Sequence, residues 1–183
     1  MVTDVLQTKL DPNHLIETTS FMRWLKQLFY FRWQERYQFD TAARSAIEQA
    51  VKAAEAGHAG EIKVVIEGHL PLNTALFQGA TGRARDLFAS LGVWDTELNS
   101  GVLLYINLCE HRVEIVADRG INAKIAPDRW LTICQQITAK LGDNKHQHGV
   151  VLGIELIGQT LLEFYTVLDS EAGNELSDAA LFL

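Results

Sequence analysis

Cysteine, proline and methionine are all scarce in this chain of 183 residues, which holds two, three and two of them respectively. The two cysteines, Cys109 and Cys134, have no CxxC or His-rich spacing around them, so the sequence carries neither a disulfide framework nor a thiolate zinc pattern. They read as reduced, half-buried packing residues. Long uncharged apolar runs are missing too: no window approaches the roughly 18 residues that a membrane-spanning helix needs. The start, MVTDVLQTKLDPNHLIETTS, is acidic and polar where a secretory signal has a basic start and an apolar stretch, so a cytoplasmic location is expected. Positive charge is in deficit, with 16 Lys and Arg against 23 Asp and Glu and a net charge of -7. A phosphate-binding surface needs a concentrated excess of Lys and Arg, so no nucleic acid partner is expected.

What is present suits one folded domain with extensions: 48% of residues are hydrophobic and 21% charged. A domain of this size buries roughly 70% of its unfolded surface, so the core alone can supply its stability. Three textures divide the chain. Residues 1–38 form a basic, aromatic extension, 39–166 alternate helical and strand periodicities, and 167–183 form an acidic, Gly-containing tail ending in the apolar AALFL.

In the middle region Asp40 and Thr41 are helix-start residues, and Ile47, Val51 and Ala54 recur at helical spacing before Gly57 and Gly60. EIKVVIE is rich in β-branched residues and predicts a strand over about 62–67. Pro71 and Asn73 break the chain. TGRARDLFASL then puts Ala84, Leu87, Phe88 and Leu91 on one stripe of a second helix. GVLLYIN is continuously apolar, as expected of an interior strand covered on both faces, and a tight connection leads to the alternating HRVEIVA. Pro127 fits the first turn of a helix whose buried face carries Trp130, Ile133, Cys134, Ile137 and Leu141. A last helix, apolar on nearly all sides, is predicted over about 149–165. Between the first two strands the chain must cross over, so the expected fold class is α/β: a three-layer α/β/α sandwich with a small mixed central sheet.

Several of these stretches resemble the TPM domain family, named for thylakoid lumen phosphatase-like proteins. They are GEIKVVIE after an amphipathic helix, ARDLFASLGV, VWDTELNSGVLLYI, VEIVADRGI and GVVLGIELIGQTLLEF, and together they cover about residues 40–165. The loop before the second strand and the segment after the third look like a cytoplasmic bacterial branch with a basic N-terminal extension and no membrane anchor. The resemblance implies a sheet flanked by helices with an acidic cleft, and calcium binding, phosphatase activity or accessory roles near membranes in various relatives. The family's Asp-Asn-Gly before the second strand falls here on Asn99, Ser100 and Gly101, so one carboxylate is an amide. Its glycine-rich turn after the third strand falls on Ala117, Asp118, Arg119 and Gly120, which adds a carboxylate and a cation. The family's metal site therefore does not carry over whole.

The strongest chemical constellation joins Asp95, Glu97 and Asn99 to Asp118, with Arg119, Gly120, Gly101 and Arg83 as support. Ligands in open α/β sheets collect outside the carboxyl ends of strands, and antiparallel pairing puts the start of the second strand beside the end of the third. Oxygen ligands of this kind suit Ca²⁺ or Mg²⁺. The same residues also serve as ordinary turn formers, with Asp118 paired to a surface cation. Glu61 belongs either to this edge or to the opposite one. A phosphatase would need a nucleophile or a metal-activated water, with Arg119 and Arg83 or Arg85 as cationic support. His146 and His148 lie two residues apart in a predicted loop, compatible with a metal or with a plain polar turn.

The second feature is FMRWLKQLFYFRWQERYQ, where Arg23, Lys26, Arg32 and Arg36 interleave with aromatic residues. Arg23, Trp24, Lys26, Phe29, Arg32 and Trp33 are the expected contacts of an amphipathic arm with an anionic membrane surface or a protein partner. The alternative is that the arm packs on the domain or a second subunit. The functional expectation is a binding or accessory module peripheral to the cytoplasmic membrane face. A divalent-metal-dependent phosphatase acting on phosphomonoesters is the competing one.

Overall fold

The computed structural model describes residues 39–143, 145–165 and 175–183. The expected arm, with Arg23, Trp24, Lys26, Phe29, Arg32 and Trp33, lies outside the described residues, as does part of the tail. The elements in chain order are α1 (Thr41–Glu55), β1 (Glu61–Glu67), α2 (Leu72–Phe77), α3 (Gly79–Ser90), β2 (Gly101–Asn107), β3 (Arg112–Ala117), α4 (Arg119–Asn122), α5 (Pro127–Gly142), α6 (His146–Leu162) and β4 (Leu181–Phe182).

Local sequence explains the starts. The Asp40 carboxylate accepts the Ala43 amide at 2.8 Å and so occupies one of the orphan donors of α1. Pro127 opens α5, where its missing N–H is not needed. The last helix begins three residues earlier than its apolar stripe, so His146 and His148 lie in its first turn and not in a loop. Pro71 does not end structure but starts the short helix α2.

The four strands form one mixed sheet in the order β3-β2-β1-β4. β1 and β2 run parallel, from Glu61 opposite Gly101 to Glu67 opposite Asn107. β2 and β3 are antiparallel, and β4 joins β1 in parallel through Val65 and Ile66. Side chains alternate between two cores, as the two-residue period of a strand requires. Ile62, Val64, Ile66, Val102, Leu104, Ile106, Val113 and Ile115 face α1, α5 and α6. Val65, Leu103 and Tyr105 face α2 and α3. The fold is therefore the α/β/α sandwich that the periodicities predict. Each fully buried Ile or Leu contributes roughly 1.5–3 kcal/mol. Two glycines let α6 come close to its neighbours: a Cβ at Gly158 would sit 2.7 Å from Ala54 Cβ, and one at Gly153 would meet Ile137.

Candidate functional site

Pairing of β2 with β3 places the loop before β2 against the turn after β3. The Asp118 amide donates to the Gly101 carbonyl at 2.8 Å, which closes the ladder at that edge. Gly120 then rests on the loop: a Cβ there would stand 2.5 Å from the Asn99 carbonyl oxygen and 3.2 Å from that of Leu98. Gly101 is similarly constrained, because a Cβ on it would overlap the Val93 carbonyl. Asn99 itself has φ of 51°, a left-handed conformation that Asn tolerates better than most residues. Inside the loop, Thr96 Oγ1 accepts the Ser100 amide at 2.9 Å, and the Ser100 hydroxyl donates to the Ala59 carbonyl at 2.7 Å. Thr96 and Ser100 are buried, so the loop is a fixed part of the edge.

Asp118 caps α4, its Oδ1 accepting the Arg119 amide. The residue is only 8% exposed, and its buried Oδ2 has no hydrogen-bond partner. An uncompensated carboxylate oxygen is costly to bury. Arg119 beside it is exposed.

Of the four nominated ligands, the fold brings the Asn99 backbone and Asp118 to one edge. Asp95 and Glu97 are exposed on the loop, and the Glu97 amide donates to the Glu175 carboxylate at 3.0 and 3.2 Å. Among the described residues, no three His, Cys, Asp or Glu side chains form a group able to hold a metal ion. The oxygen set that remains for Ca²⁺ or Mg²⁺ is one buried carboxylate, one amide side chain and loop carbonyls. Such a donor set has the hard-oxygen chemistry of these ions but only one formal charge.

Arg83 lies elsewhere. Its guanidinium binds Glu67, with Nη2 at 2.7 Å and Nε at 3.0 Å from Oε1. Glu67 ends β1, whereas Gly101 begins β2, so Arg83 stands about 20 Å along the strands from Asp118. The expectation of Arg83 as cleft support is therefore corrected. The reason is register: the loop edge is the amino end of the parallel strands and the carboxyl end of β3 alone. At the opposite edge Glu67, 2% exposed, also accepts the Tyr105 hydroxyl at 2.6 Å, and Asn107 Nδ2 donates to that hydroxyl at 3.3 Å. Burial and then the Glu67 charge raise the Tyr105 pKa well above its ordinary value. Sequence patterning missed this network, although a tyrosine inside a strand buried on both faces already demands a partner for its hydroxyl.

Glu61 falls on the loop edge, where its amide donates to the Ser100 carbonyl at 3.1 Å and its Oε2 accepts the Leu176 amide at 3.2 Å. Its pKa is raised, chiefly by burial. Glu55, half-buried behind it, is pushed up to about 8 by burial first and then by the carboxyls of Glu61 and Asp178. Burial likewise pushes the Cys134 thiol up to about 12, in keeping with a packing role. Cys109 is buried, and neither cysteine is in a disulfide. No helix among the described residues is long and apolar enough to cross a membrane.

A small mixed sheet between two helical layers, with a polar loop edge, defines a compact α/β domain. The model of the TPM domain matches residues 36–160, and the chain belongs to that family. It is similar to the BA42 protein of the psychrophilic bacterium Bizionia argentinensis, whose NMR structure superposes with a TM-score of 0.70 at 27% identity. That match covers 79% of this chain and 95% of the other. The N-terminal domain of a protein from P. gingivalis shares the fold, with a TM-score of 0.57 at 21% identity over 70% of this chain and 80% of that one. A search of curated proteins finds no match.

Proposed function

We propose that this TPM domain is a binding module whose contact edge is formed by the loop before β2 and the Asp118–Gly120 turn. In this reading a divalent cation, Ca²⁺ or Mg²⁺, sits there weakly and completes the edge. The observation that carries it is the buried, unpartnered Oδ2 of Asp118 beside a loop held down at Asn99. With a single carboxylate, affinity falls in the range of about 10⁻⁴–10⁻³ M, typical of weakly charged oxygen sites. A metal-dependent phosphatase is disfavoured because the Arg83 guanidinium is engaged by Glu67 and leaves Arg119 as the nearby cation. The module works in the cytoplasm at the inner membrane face, with the arm over residues 1–38 engaging anionic lipid or a protein partner.

Thermal melts with Ca²⁺ and with Mg²⁺ test the edge. At an ion concentration about ten times Kd, binding to the folded state alone adds about 1.4 kcal/mol, or a few degrees in Tm. Asp118→Asn keeps the cap acceptor for Arg119 and removes the charge, so it should abolish the increment. An unchanged increment in that variant would sink the assignment. For the arm, co-sedimentation with anionic vesicles should be lost on deleting residues 1–38 and weakened by salt.

A further inference from the structure

Residues 175–183 return to the sheet and lie along the outer side of β1. The Leu176 amide donates to Glu61 Oε2, and Lys63 Nζ reaches two carbonyls of the segment, Ser177 at 2.8 Å and Ala179 at 3.1 Å. Beyond these, the Leu183 amide donates to the Ile66 carbonyl at 3.0 Å, and the Gly68 amide to that of Leu183 at 3.1 Å. Phe182 packs on Phe39 at 5.6 Å between ring centres, with the Arg44 guanidinium 3.6 Å over its ring. The pairing is short: β4 matches β1 at two positions, where β2 matches it at seven.

Charged groups, most of them carboxyls, crowd the seam beneath this segment. From α1 come Glu48, Lys52 and Glu55, from β1 come Glu61 and Lys63, and from the segment itself come Glu175 and Asp178. Lys52 is committed to Glu48 at 3.0 Å and stands 3.9 Å from Asp178. Glu55 accepts the Ile62 amide at 2.7 Å, and the neighbouring carboxyls of Glu61 and Asp178, from two other elements, add to the burial that raises its pKa. Carboxyls gathered at one seam disfavour one another's ionisation. The seam borders an open cavity of about 400 Å³ lined by Glu48, Glu175, Leu176, Ser177, Asp178 and Ala179, through which water reaches it.

We propose that residues 175–183 are a proton-gated strap, docked on β1 while Glu55 is protonated and released from that edge when Glu55 ionises within the acidic seam. The sign follows from linkage. In the docked form Glu55 titrates at about 8, raised by burial and then by its acidic neighbours, against an ordinary value of 4.5. Undocking returns it toward water and toward that ordinary value. The docked form therefore holds more protons across this window, and docking is lost as pH rises through it. The docked-to-released ratio falls by at most about tenfold per pH unit. Release bares the backbone of β1 from Val65 to Gly68, an unpaired strand edge able to accept another extended segment.

Amide hydrogen exchange on the full chain, corrected for intrinsic rates, reads the strap directly. Between about pH 5.5 and about pH 8.5, protection at Gly68 and Leu183 should fall tenfold or more, about the first pH unit's worth of that limit. Protection at Leu108, whose amide donates to Glu67 away from the strap, should hold. Glu55→Gln mimics the protonated acid, keeps an acceptor for Ile62, and should flatten the response. Asp178→Asn should flatten it independently. Equal protection of Gly68 and Leu183 at both pH values, or an undiminished pH response in both variants, overturns the proposal.

Discussion

Replacing Arg83 by Met tests how the far edge of the sheet is held. The Glu67 carboxylate is 2% exposed, and its partners are the Arg83 guanidinium and the Tyr105 hydroxyl. Arg83→Met keeps the aliphatic stem packed on the sheet and removes the charge, leaving Glu67 with Tyr105 as its remaining side-chain donor. Stranding one partner of a buried pair costs about 3–5 kcal/mol. The Arg83 side chain is 23% exposed and Tyr105 still donates, so the low end, about 3 kcal/mol, applies. In a domain of this length that lowers Tm by about 10 °C. The double variant Glu67→Gln with Arg83→Met removes both charges and retains an acceptor for Tyr105, so it should cost only about 1–2 kcal/mol. Urea unfolding of the wild type, both single variants and the double variant gives the cycle. A loss below about 1 kcal/mol for Arg83→Met would show that the pair is solvated, and the reasoning from burial would fail.

Other outcomes follow from the loop edge and the seam. Gly101→Ala drives a methyl into the Val93 carbonyl, a backbone group that cannot swing aside, and should cost about 3 kcal/mol or more in urea unfolding. Glu55→Gln should be stability-neutral near pH 5 and stabilising by on the order of 1–3 kcal/mol at pH 8, because the raised acid of the wild type destabilises the fold as it ionises. A stability difference independent of pH would contradict that sign. Tyr105→Phe removes a hydroxyl bonded to both Glu67 and Asn107 and should cost about 1–2 kcal/mol by thermal melt.

Much of this architecture is legible in the residues. The continuous apolar run GVLLYIN is the strand covered on both faces, and RVEIVA alternates because its second face carries Arg112 and Glu114 toward α3, where Thr81 donates to Glu114 at 2.9 Å. The neighbouring positions of the two loops also follow from a hairpin. What pattern does not reveal is long-range commitment of single charges. Nothing local distinguishes Arg83, bound to Glu67, from the exposed Arg85 two residues on. The tail was unreadable for a related reason: a two-residue strand has no period, and β4 exists through bonds to residues more than a hundred positions earlier. The hairpin that nominates Asp95 and Glu97 together with Asn99 and Asp118 is legible, but that Asp95 and Glu97 stand exposed while Asp118 is buried is not.

Backbone amide shifts followed during titration with Ca²⁺ or Mg²⁺ test the contact edge most directly. The account predicts saturable shifts at Leu98 to Gly101 and at Asp118 to Gly120, with a midpoint of about 10⁻⁴–10⁻³ M, that vanish in Asp118→Asn. Shifts confined to Glu48, Glu175 and Asp178, or none at either loop at ion concentrations well above that range, would contradict it.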